Sequence, residues 1–437
     1  MKTFRILFIA FGIIYGIYFC FIKIEEVIIF PENSVEIIGY IDDYPENRIS
    51  SNRYRVRIRE FDGISVTEVV RILVVTSPYT EYKYGTSLKL YGIIELPKDF
   101  ITDTGKTFDY DSYLKLSSIY GIMREPDAQI LDGFRGNKLK VILFKIRKNF
   151  SNKLNKNLSV QSSALSRGVL LGEKTSIDND LRTNLAKTST SHIIALSGYN
   201  ITIVSEILMK LLAGFSIVVR SLVGSSGILL FLILTGGGSS AMRAGIMGGI
   251  LIYSRSRGKT YNALWALTIA TTILIIISPL SLRYDVGFHL SVLATFGLVA
   301  FQRPISVWLI KKNLYKWLTE ILSSTLSATI MTLPYIAYSM GIFSILGIFV
   351  NIIVVPLLPL LMLFSFLVGI FGNSILFLTK IFSFITNAIS NIILYTINQL
   401  GSVGFAALYV DKVSLVLVII VYVFLFYKGL RALMKES

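Results

Sequence analysis

The sequence predicts a polytopic α-helical membrane protein with a small all-β soluble domain inserted after the first transmembrane helix. Hydrophobic residues make up 53% of the 437 residues, and the mean hydropathy is +0.65. Apolar runs of about 20 residues recur along the chain, which is the length that an α-helix needs to cross a bilayer. Between residues 31 and 135 these runs give way to short segments in which apolar and polar residues alternate, as they do in β-strands.

The first apolar run extends over residues 4–21 and follows Lys2 and Arg5. It has no small-residue cleavage site, so we expect a retained anchor helix and not a signal peptide. The positive-inside rule then places the N-terminus in the cytoplasm and the β domain on the other side of the membrane. Cys20 is the one cysteine, which excludes an intramolecular disulfide and a cysteine-based metal site.

The predicted organisation has five parts. They are an anchor (1–30), an OB-like β domain (31–135), an amphipathic interfacial segment (136–160), a multi-helix domain (161–430) and a cytoplasmic tail (431–437). The β domain is expected to hold strands at 34–41, 54–61, 66–75, 87–94 and 119–130. Five short strands within about 100 residues suit a small barrel of the OB type.

One predicted strand carries a strictly alternating row of arginines. Because side chains alternate across a strand, all four lie on one face at a spacing of roughly 6–7 Å: Arg53, Arg55, Arg57 and Arg59. That spacing is close to the repeat of a nucleic-acid backbone, which makes the row a candidate DNA-binding surface. The alternative is a solvated outer face whose arginines pair with the carboxylates of the same domain.

The segment 138–158 mixes basic and apolar residues and is expected to form an amphipathic helix at the membrane surface. Predicted spans follow at 192–212, 214–235, 239–254, 262–279, 285–301, 318–338, 342–370, 374–396 and 413–427. The proline-rich stretch 342–396 is compatible with a broken or re-entrant helix.

The net charge of +16 is unevenly distributed. Residues 23–137 hold 14 Lys and Arg against 19 Asp and Glu, whereas the remainder holds 29 against 8. Basic clusters at 255–259, 311–316 and 428–435 are typical of cytoplasmic loops. A polyanionic substrate is the alternative explanation for the basic excess.

Four polar clusters interrupt the predicted spans, where lipid offers no hydrogen-bond partner. They contain His192, Ser197, Gly198 and Asn200; Gly236 and Arg243; Asp285, Gly287, His289 and Ser291; and Asn351. Arg243 is expected to face a cavity or a carboxylate, and Asp285 and His289 share one helix face because they are four residues apart. Structural alternatives remain open: histidines bonded within the bundle, glycines that serve packing, and an Asp285–Arg243 ion pair.

These motifs, in this order and at this spacing, resemble the ComEC family of competence proteins. The resemblance rests on His192-x-x-Ala195-x-Ser197-Gly198, Arg243-Ala244, Asp285-x-Gly287-Phe288-x-Leu290-Ser291, and Leu333-Pro334 with Asn351 and Pro356. It extends to Phe108-Asp109-Tyr110 with Tyr113-Leu114, and to Leu171-Gly172-Glu173. The resemblance covers nearly the whole chain.

The resemblance implies a channel in the bacterial inner membrane that passes single-stranded DNA into the cytoplasm during natural transformation. It implies no catalytic residues, cofactor or metal. His192, Ser197, Gly198, Arg243, Asp285, Gly287 and Ser291 would line or shape the path, with Asn200, Gly236, His289 and Asn351 as further candidates. The family often has His at the position of Asn200 and Gln at that of His289. The group that could titrate near neutral pH is therefore at position 289 in this chain and not at position 200.

The resemblance also implies partners besides membrane lipids. Two histidines cannot build the His-x-His-x-Asp-His metal site of the family's nuclease-like domain, so a separate nuclease is expected. The sequence has no Gly-x-x-x-x-Gly-Lys-Ser/Thr loop, which calls for a cytoplasmic ATP-driven motor, and a DNA receptor is expected outside. Oligomeric state is not indicated.

A second function is open at this point: a membrane transporter or enzyme acting on a small anionic or lipid-linked substrate. Its site would hold His192, Ser197, Arg243 and Asp285. The net negative charge of residues 23–137 favours this alternative, because a domain that receives DNA is more commonly basic.

Overall fold

The structure of the chain is a computed structural model. It describes residues 12, 14–18, 30–48, 50–102, 105–173, 178–194, 200–201, 203, 214–372, 374–410 and 413–434. An all-β domain comes first and a helical region follows, which confirms the predicted fold class.

Eleven strands and one short helix form the β domain within these described residues. The strands are β1 (Val35–Ile41), β2 (Glu46–Asn47), β3 (Asn52–Phe61), β4 (Ile64–Ser65), β5 (Arg71–Thr76), β6 (Thr86–Gly92), β7 (Ile94–Glu95), β8 (Phe100–Ile101), β9 (Thr107–Phe108), β10 (Ile119–Arg124) and β11 (Asp127–Phe134). The helix α1 (Tyr110–Lys115) lies between β9 and β10.

The main sheet closes on itself in the manner of an OB-type barrel. Its strands follow the order β11-β6-β1-β3-β5-β10-β7, and β10 runs parallel to β5. Strands β6 and β7 are consecutive in the chain with only Ile93 between them, so one bent strand pairs with β1 at its start and with β10 at its end. The bent strand thus joins the two ends of the barrel, and β11 extends the sheet beyond β6.

Side chains alternate across β3 as the sequence predicts. Tyr54, Val56 and Ile58 are at most 1% exposed and belong to the barrel core, whereas the four arginines between and beside them are partly exposed. A second, smaller core lies on the other face of β5 and β10, where α1 covers Leu73 and Ile122.

Two predicted strands differ from the observed ones. The run 66–75 becomes a strand only from Arg71, because Asp62 and Gly63 adopt positive φ in a tight hairpin that pairs Ile64–Ser65 with β3. The run 119–130 divides into β10 and β11 at Glu125-Pro126. Glu125 has a φ of +44° and proline has no N–H to donate to a ladder.

The helical region begins with α2 (Lys138–Asn157). It continues with α3 (Val160–Leu171), α4 (Asn179–Lys187), α5 (Ser191–Ile194), α6 (Ile217–Thr235), α7 (Ser239–Ser256), α8 (Ala263–Ile277), α9 (Ser281–Tyr284), α10 (Val286–Ile310), α11 (Lys316–Met340), α12 (Gly347–Phe371), α13 (Leu376–Gly401) and α14 (Leu415–Met434). Two short strands, β12 (Ile342–Ser344) and β13 (Ala407–Tyr409), pair between these helices.

Six of the described helices are long and apolar enough to cross a membrane: α6, α10, α11, α12, α13 and α14. The chain is therefore a multi-pass membrane protein. Glycines in the left-handed region end α6 at Gly236 and α11 at Gly341, with φ of +81° and +66°. Helix α12 stays continuous through Pro356 and Pro359, so the proline-rich stretch holds two long helices and no break within α12.

The predicted amphipathic helix is α2, and it packs against the bundle. Its buried side chains are spaced four, four and three residues apart on one stripe: Leu143, Arg147, Ser151 and Leu154. The described residues of the predicted anchor include helical residues 14–17. A Cβ on Gly12 or Gly16 would meet Thr272 or Ile275, so the anchor packs closely on α8.

Candidate functional site

The N-terminal ends of α7 and α10 meet at Asp285. This residue is the N-cap of α10, and its Oδ1 accepts a hydrogen bond of 2.9 Å from the backbone N–H of Phe288. Its Oδ2 accepts the hydroxyl hydrogen of Ser239, the first residue of α7. Helix N-termini carry partial positive charge, and here a single carboxylate accepts hydrogen bonds at the N-termini of two helices.

Arg243 lies one turn further along α7 and is 6% exposed. Its Nη1 donates to the carbonyl oxygen of Ser291 and to Thr295 Oγ1, both on α10. The Ser291 hydroxyl in turn donates to Ser240 Oγ at 3.0 Å. One guanidinium therefore joins α7 to α10 through polar but uncharged groups.

The open alternative of an Asp285–Arg243 ion pair is wrong. Asp285 is engaged by Ser239 and Phe288, and no carboxylate in the described part of the chain forms an ion pair with Arg243. The Nε of Arg243 is buried and has no hydrogen-bond partner among the described residues. A cation without a counter-ion is costly in a helical bundle, and such groups commonly mark the path of an anion.

Both ring nitrogens of His289 are occupied within the bundle. A carbonyl oxygen can only accept, so Nε2 carries the hydrogen that is donated to Leu282 O at 2.8 Å. Nδ1 then accepts from the Tyr335 hydroxyl at 2.7 Å. These two hydrogen bonds tie α10 to α11 and to Leu282 in α9, in agreement with the structural alternative.

Replacing Tyr335 by phenylalanine should therefore destabilise the protein. The substitution leaves Nδ1 of His289 without its donor, at an expected cost of about 1–3 kcal/mol. Tyr338→Phe is the matched control, because no hydrogen bond of its hydroxyl is found among the described residues. Thermal unfolding of the purified protein measures both variants, and equal midpoints would contradict the assignment.

The other candidates in the first and fourth clusters are dispersed. His192 is exposed, and its Nδ1 lies 3.0 Å from Ser189 O. Asn200 is 1% exposed and donates from Nδ2 to Val169 O on α3 at 3.1 Å. Ser197 and Gly198 lie outside the described residues. Among the described residues, no hydrogen bond joins His192 to Arg243.

Three further candidates have distinct local roles. The backbone at Gly236 adopts the left-handed conformation that ends α6, and glycine adopts this conformation without a Cβ clash. Gly287 has no room to spare, because a Cβ would lie 3.1 Å from Asp285 Oδ1. Asn351 is 7% exposed on α12, and its Oδ1 is buried without a hydrogen-bond partner among the described residues. This oxygen therefore remains a candidate for contact with a ligand.

The arginine row of β3 is only partly neutralised. Arg55 pairs with Asp43 at 2.6 Å and with Glu46 at 3.1 Å, as the alternative interpretation expects. Arg59 stacks over the Tyr40 ring at 5.4 Å, and Arg53 Nη1 lies 3.5 Å from the Tyr110 hydroxyl. Within the described ranges, Arg53, Arg57 and Arg59 form no ion pair with a carboxylate.

Sequence reasoning missed the buried cation of α2. Arg147 is 7% exposed, donates from Nη1 to Leu234 O at 2.8 Å and from Nη2 to Leu171 O at 3.0 Å, and lies 3.5 Å from a Glu173 carboxylate oxygen. Its guanidinium carbon is 4.5 Å from the centre of the Tyr44 ring in the β domain. The signal was present, because Arg147 falls on the apolar stripe of an amphipathic helix.

Glu173 completes this cluster. It also accepts from Arg167 at 3.2 Å and from the Ser151 hydroxyl at 3.3 Å. The cluster therefore joins the last turns of α3 and α6 to α2 and to the β domain. Cations near helix C-termini are favourable, because they offset the partial negative charge of the terminal carbonyl groups.

Comparison with known proteins identifies one matching family. The model of the Competence protein family matches residues 169–435. ComE operon protein 3 from Bacillus subtilis is 26% identical over 276 residues, which are 62% of this chain and 34% of that protein. The match thus spans about a third of the length of the curated relative. No solved structure matches the chain.

Proposed function

This chain belongs to the Competence protein family, and from that premise we propose that it is an inner-membrane channel for single-stranded DNA during natural transformation. The β domain lies outside the cytoplasm, receives the strand and passes it to the helical region. Channel lining is assigned to the residues around the α7–α10 contact, and no catalytic site is required for this role.

The observation that carries the proposal is the buried, unpaired charge of Arg243. A phosphate passing the start of α7 would meet a fixed cation together with the N-terminal ends of two helices, all of which favour anions. Asp285 lies at the same place with a negative charge of its own. It would keep a phosphate from binding so tightly that it cannot move on, as conduction requires.

The arginine row of β3 supplies a second, more exposed set of cations for the strand. We expect Arg53→Ser with Arg57→Ser to weaken binding of single-stranded DNA and to reduce the slope of log K against log salt by about 1.4, at about 0.7 per phosphate contact. Arg55→Ser should change little, because Asp43 and Glu46 already neutralise Arg55. Equal effects of Arg53→Ser and Arg55→Ser in salt titrations of the full-length protein would remove this surface from the proposal.

Partners follow from the same proposal. A separate nuclease would degrade the strand that is not transported, a receptor would deliver DNA from outside, and a cytoplasmic ATP-driven motor would draw the strand inward. Among the described residues no group of His, Cys, Asp and Glu is placed to hold a metal ion.

Transformation frequency in a strain deleted for this gene tests the proposal. Loss of transformation that the wild-type gene restores would support the channel role. Unchanged transformation in a competent strain would reject it and would favour the transporter or enzyme of a small anionic or lipid-linked substrate, for which an unpaired Arg243 is also suited.

A further inference from the structure

Four aromatic rings form a cluster on the surface of the β domain, beside the arginine row. The β8–β9 hairpin contributes Phe100 and Phe108, and α1 contributes Tyr110 and Tyr113. Ring centroids lie 5.2 Å apart for Phe100–Phe108 and 5.6 Å for Phe108–Tyr113, and the two tyrosine rings are nearly parallel at 6.4 Å. We call this group the aromatic cluster.

The aromatic cluster is ordered but not enclosed. Phe100 is 50% exposed and Tyr113 is 52% exposed, so these rings present their surfaces to a partner and not to a core. The backbone that carries them is held by two aspartates: Asp99 accepts from Tyr110 N–H at 3.0 Å, and Asp109 caps α1 by accepting from Ser112 N–H at 2.8 Å. Rings fixed in this way lose little entropy when a planar ligand stacks on them.

Positive charge lies next to the rings. Arg53 Nη1 is 3.5 Å from the Tyr110 hydroxyl, and no carboxylate among the described residues pairs with it. Arg57 is four residues after Arg53 and lies on the same face of β3. Flat apolar rings beside free cations complement a polymer of bases and phosphates, as in proteins that bind single strands without sequence preference.

The aromatic cluster also lies beside the helical region. Lys106, in the β8–β9 turn, lies close to Gly341 at the end of α11, because a Cβ added to Gly341 would come within 2.9 Å of the Lys106 side chain. Desolvation raises the pKa of the Tyr113 phenol, and the charges of Glu46 and Asp285 raise it further, whereas Arg55 opposes them. Tyr113 is therefore neutral at physiological pH and lies within electrostatic range of the carboxylate that caps α10.

We propose that the aromatic cluster is a base-stacking site for single-stranded DNA, placed beside the arginine row and close to the helical region. This inference rests on the proposed function and adds to it the site where the bases are held. The rings bind bases of any sequence, and Arg53 contacts the phosphates between them.

The experiment measures binding of two fluorescent probes to the full-length protein in detergent: a 20-nucleotide thymidine strand and an abasic strand of equal length. Phe100→Ala with Tyr113→Ala should weaken binding of the thymidine strand by about 10-fold or more, since one stacked base contributes that much. Binding of the abasic strand should not change. Tyr79→Ala is the matched control, because Tyr79 is 93% exposed in the same domain and outside the aromatic cluster.

A second variant separates stacking from a folding defect. Tyr113→Phe keeps the ring and should bind the thymidine strand as the unaltered protein does. Equal affinity of the alanine variants and the unaltered protein for the thymidine strand would overturn the stacking site alone. Equal losses for both strands would overturn it as well. An unaltered protein that binds neither strand would overturn the proposed function too. Quenching of Phe100→Trp by brominated lipid, and not by the thymidine strand, would assign the aromatic cluster to the membrane surface.

Discussion

Replacing Arg243 by alanine should lower transformation frequency by about 10- to 150-fold while the protein stays in the membrane. The loss is expected because a charged hydrogen-bond donor contributes about 1.5–3 kcal/mol to the stabilisation of a passing phosphate. The fold should tolerate the change, since the Ser291 carbonyl keeps a hydrogen bond of 2.9 Å from the Thr295 hydroxyl. Removing an unpaired buried cation also relieves a desolvation cost.

Two further variants complete this test. Arg255→Ala removes an exposed arginine from the same helix and should transform normally. Arg243→Lys keeps the charge but not the planar fork and should recover only part of the activity. If Arg243→Ala disappears from the membrane fraction, the arginine is a structural link between α7 and α10 and its place on the DNA path is contradicted.

Replacing Arg147 by methionine should destabilise the folded protein by about 3–5 kcal/mol, because the change leaves a buried partner charge less compensated. Among the described residues, Glu173 would keep Arg167 as its one cationic partner, and the carbonyls of Leu171 and Leu234 would lose the donor of Arg147. The expected results are a lower thermal midpoint and less protein in the membrane. Contact between the β domain and the helices should also weaken, since Tyr44 stacks on this guanidinium.

Lys148→Met is the matched control for Arg147→Met. Lys148 is the next residue of α2 and forms an exposed ion pair with Glu81 at 3.6 Å, which contributes little to stability. Arg147→Met combined with Glu173→Gln should recover part of the lost stability, because a neutral amide then replaces the carboxylate that has lost one of its two arginines. If the Arg147→Met protein unfolds at the same thermal midpoint as the wild type, the buried cluster does not hold these helices together.

Local patterns predicted the fold class and many of its strands and helices. The alternation around Tyr54, Val56 and Ile58 defines β3, because a strand with one buried face has period two. Helix ends at Gly236 and Gly341 follow from residues that adopt positive φ without a Cβ clash. The division of 119–130 was missed, because the apolar content of that run outweighed the Glu125-Pro126 break.

Contacts between distant segments set the limit on predicting the site. Arg243 was expected to face a cavity or a carboxylate. No carboxylate pairs with it in the described part of the chain, and its hydrogen-bond partners are a backbone carbonyl and a hydroxyl about 50 residues away on α10. No local pattern encodes that choice. For His289 the sequence left two roles open, one on the channel path and one as a hydrogen-bonded residue within the bundle. Its partner Tyr335 lies on another helix, which no local pattern reveals. Arg147 was detectable in principle, from its place on the apolar stripe of α2.

Photocrosslinking during DNA uptake tests the central claim most directly. A photoreactive amino acid at Ser240, which contacts Ser291 beside Arg243, should form a covalent adduct with labelled single-stranded DNA only while competent cells take it up. The same amino acid at Phe424, an exposed position on α14, should form none. Adducts at Ser240 and not at Phe424 are the predicted result. Transformation at normal frequency without any adduct at Ser240 would show that the strand does not pass the α7–α10 contact.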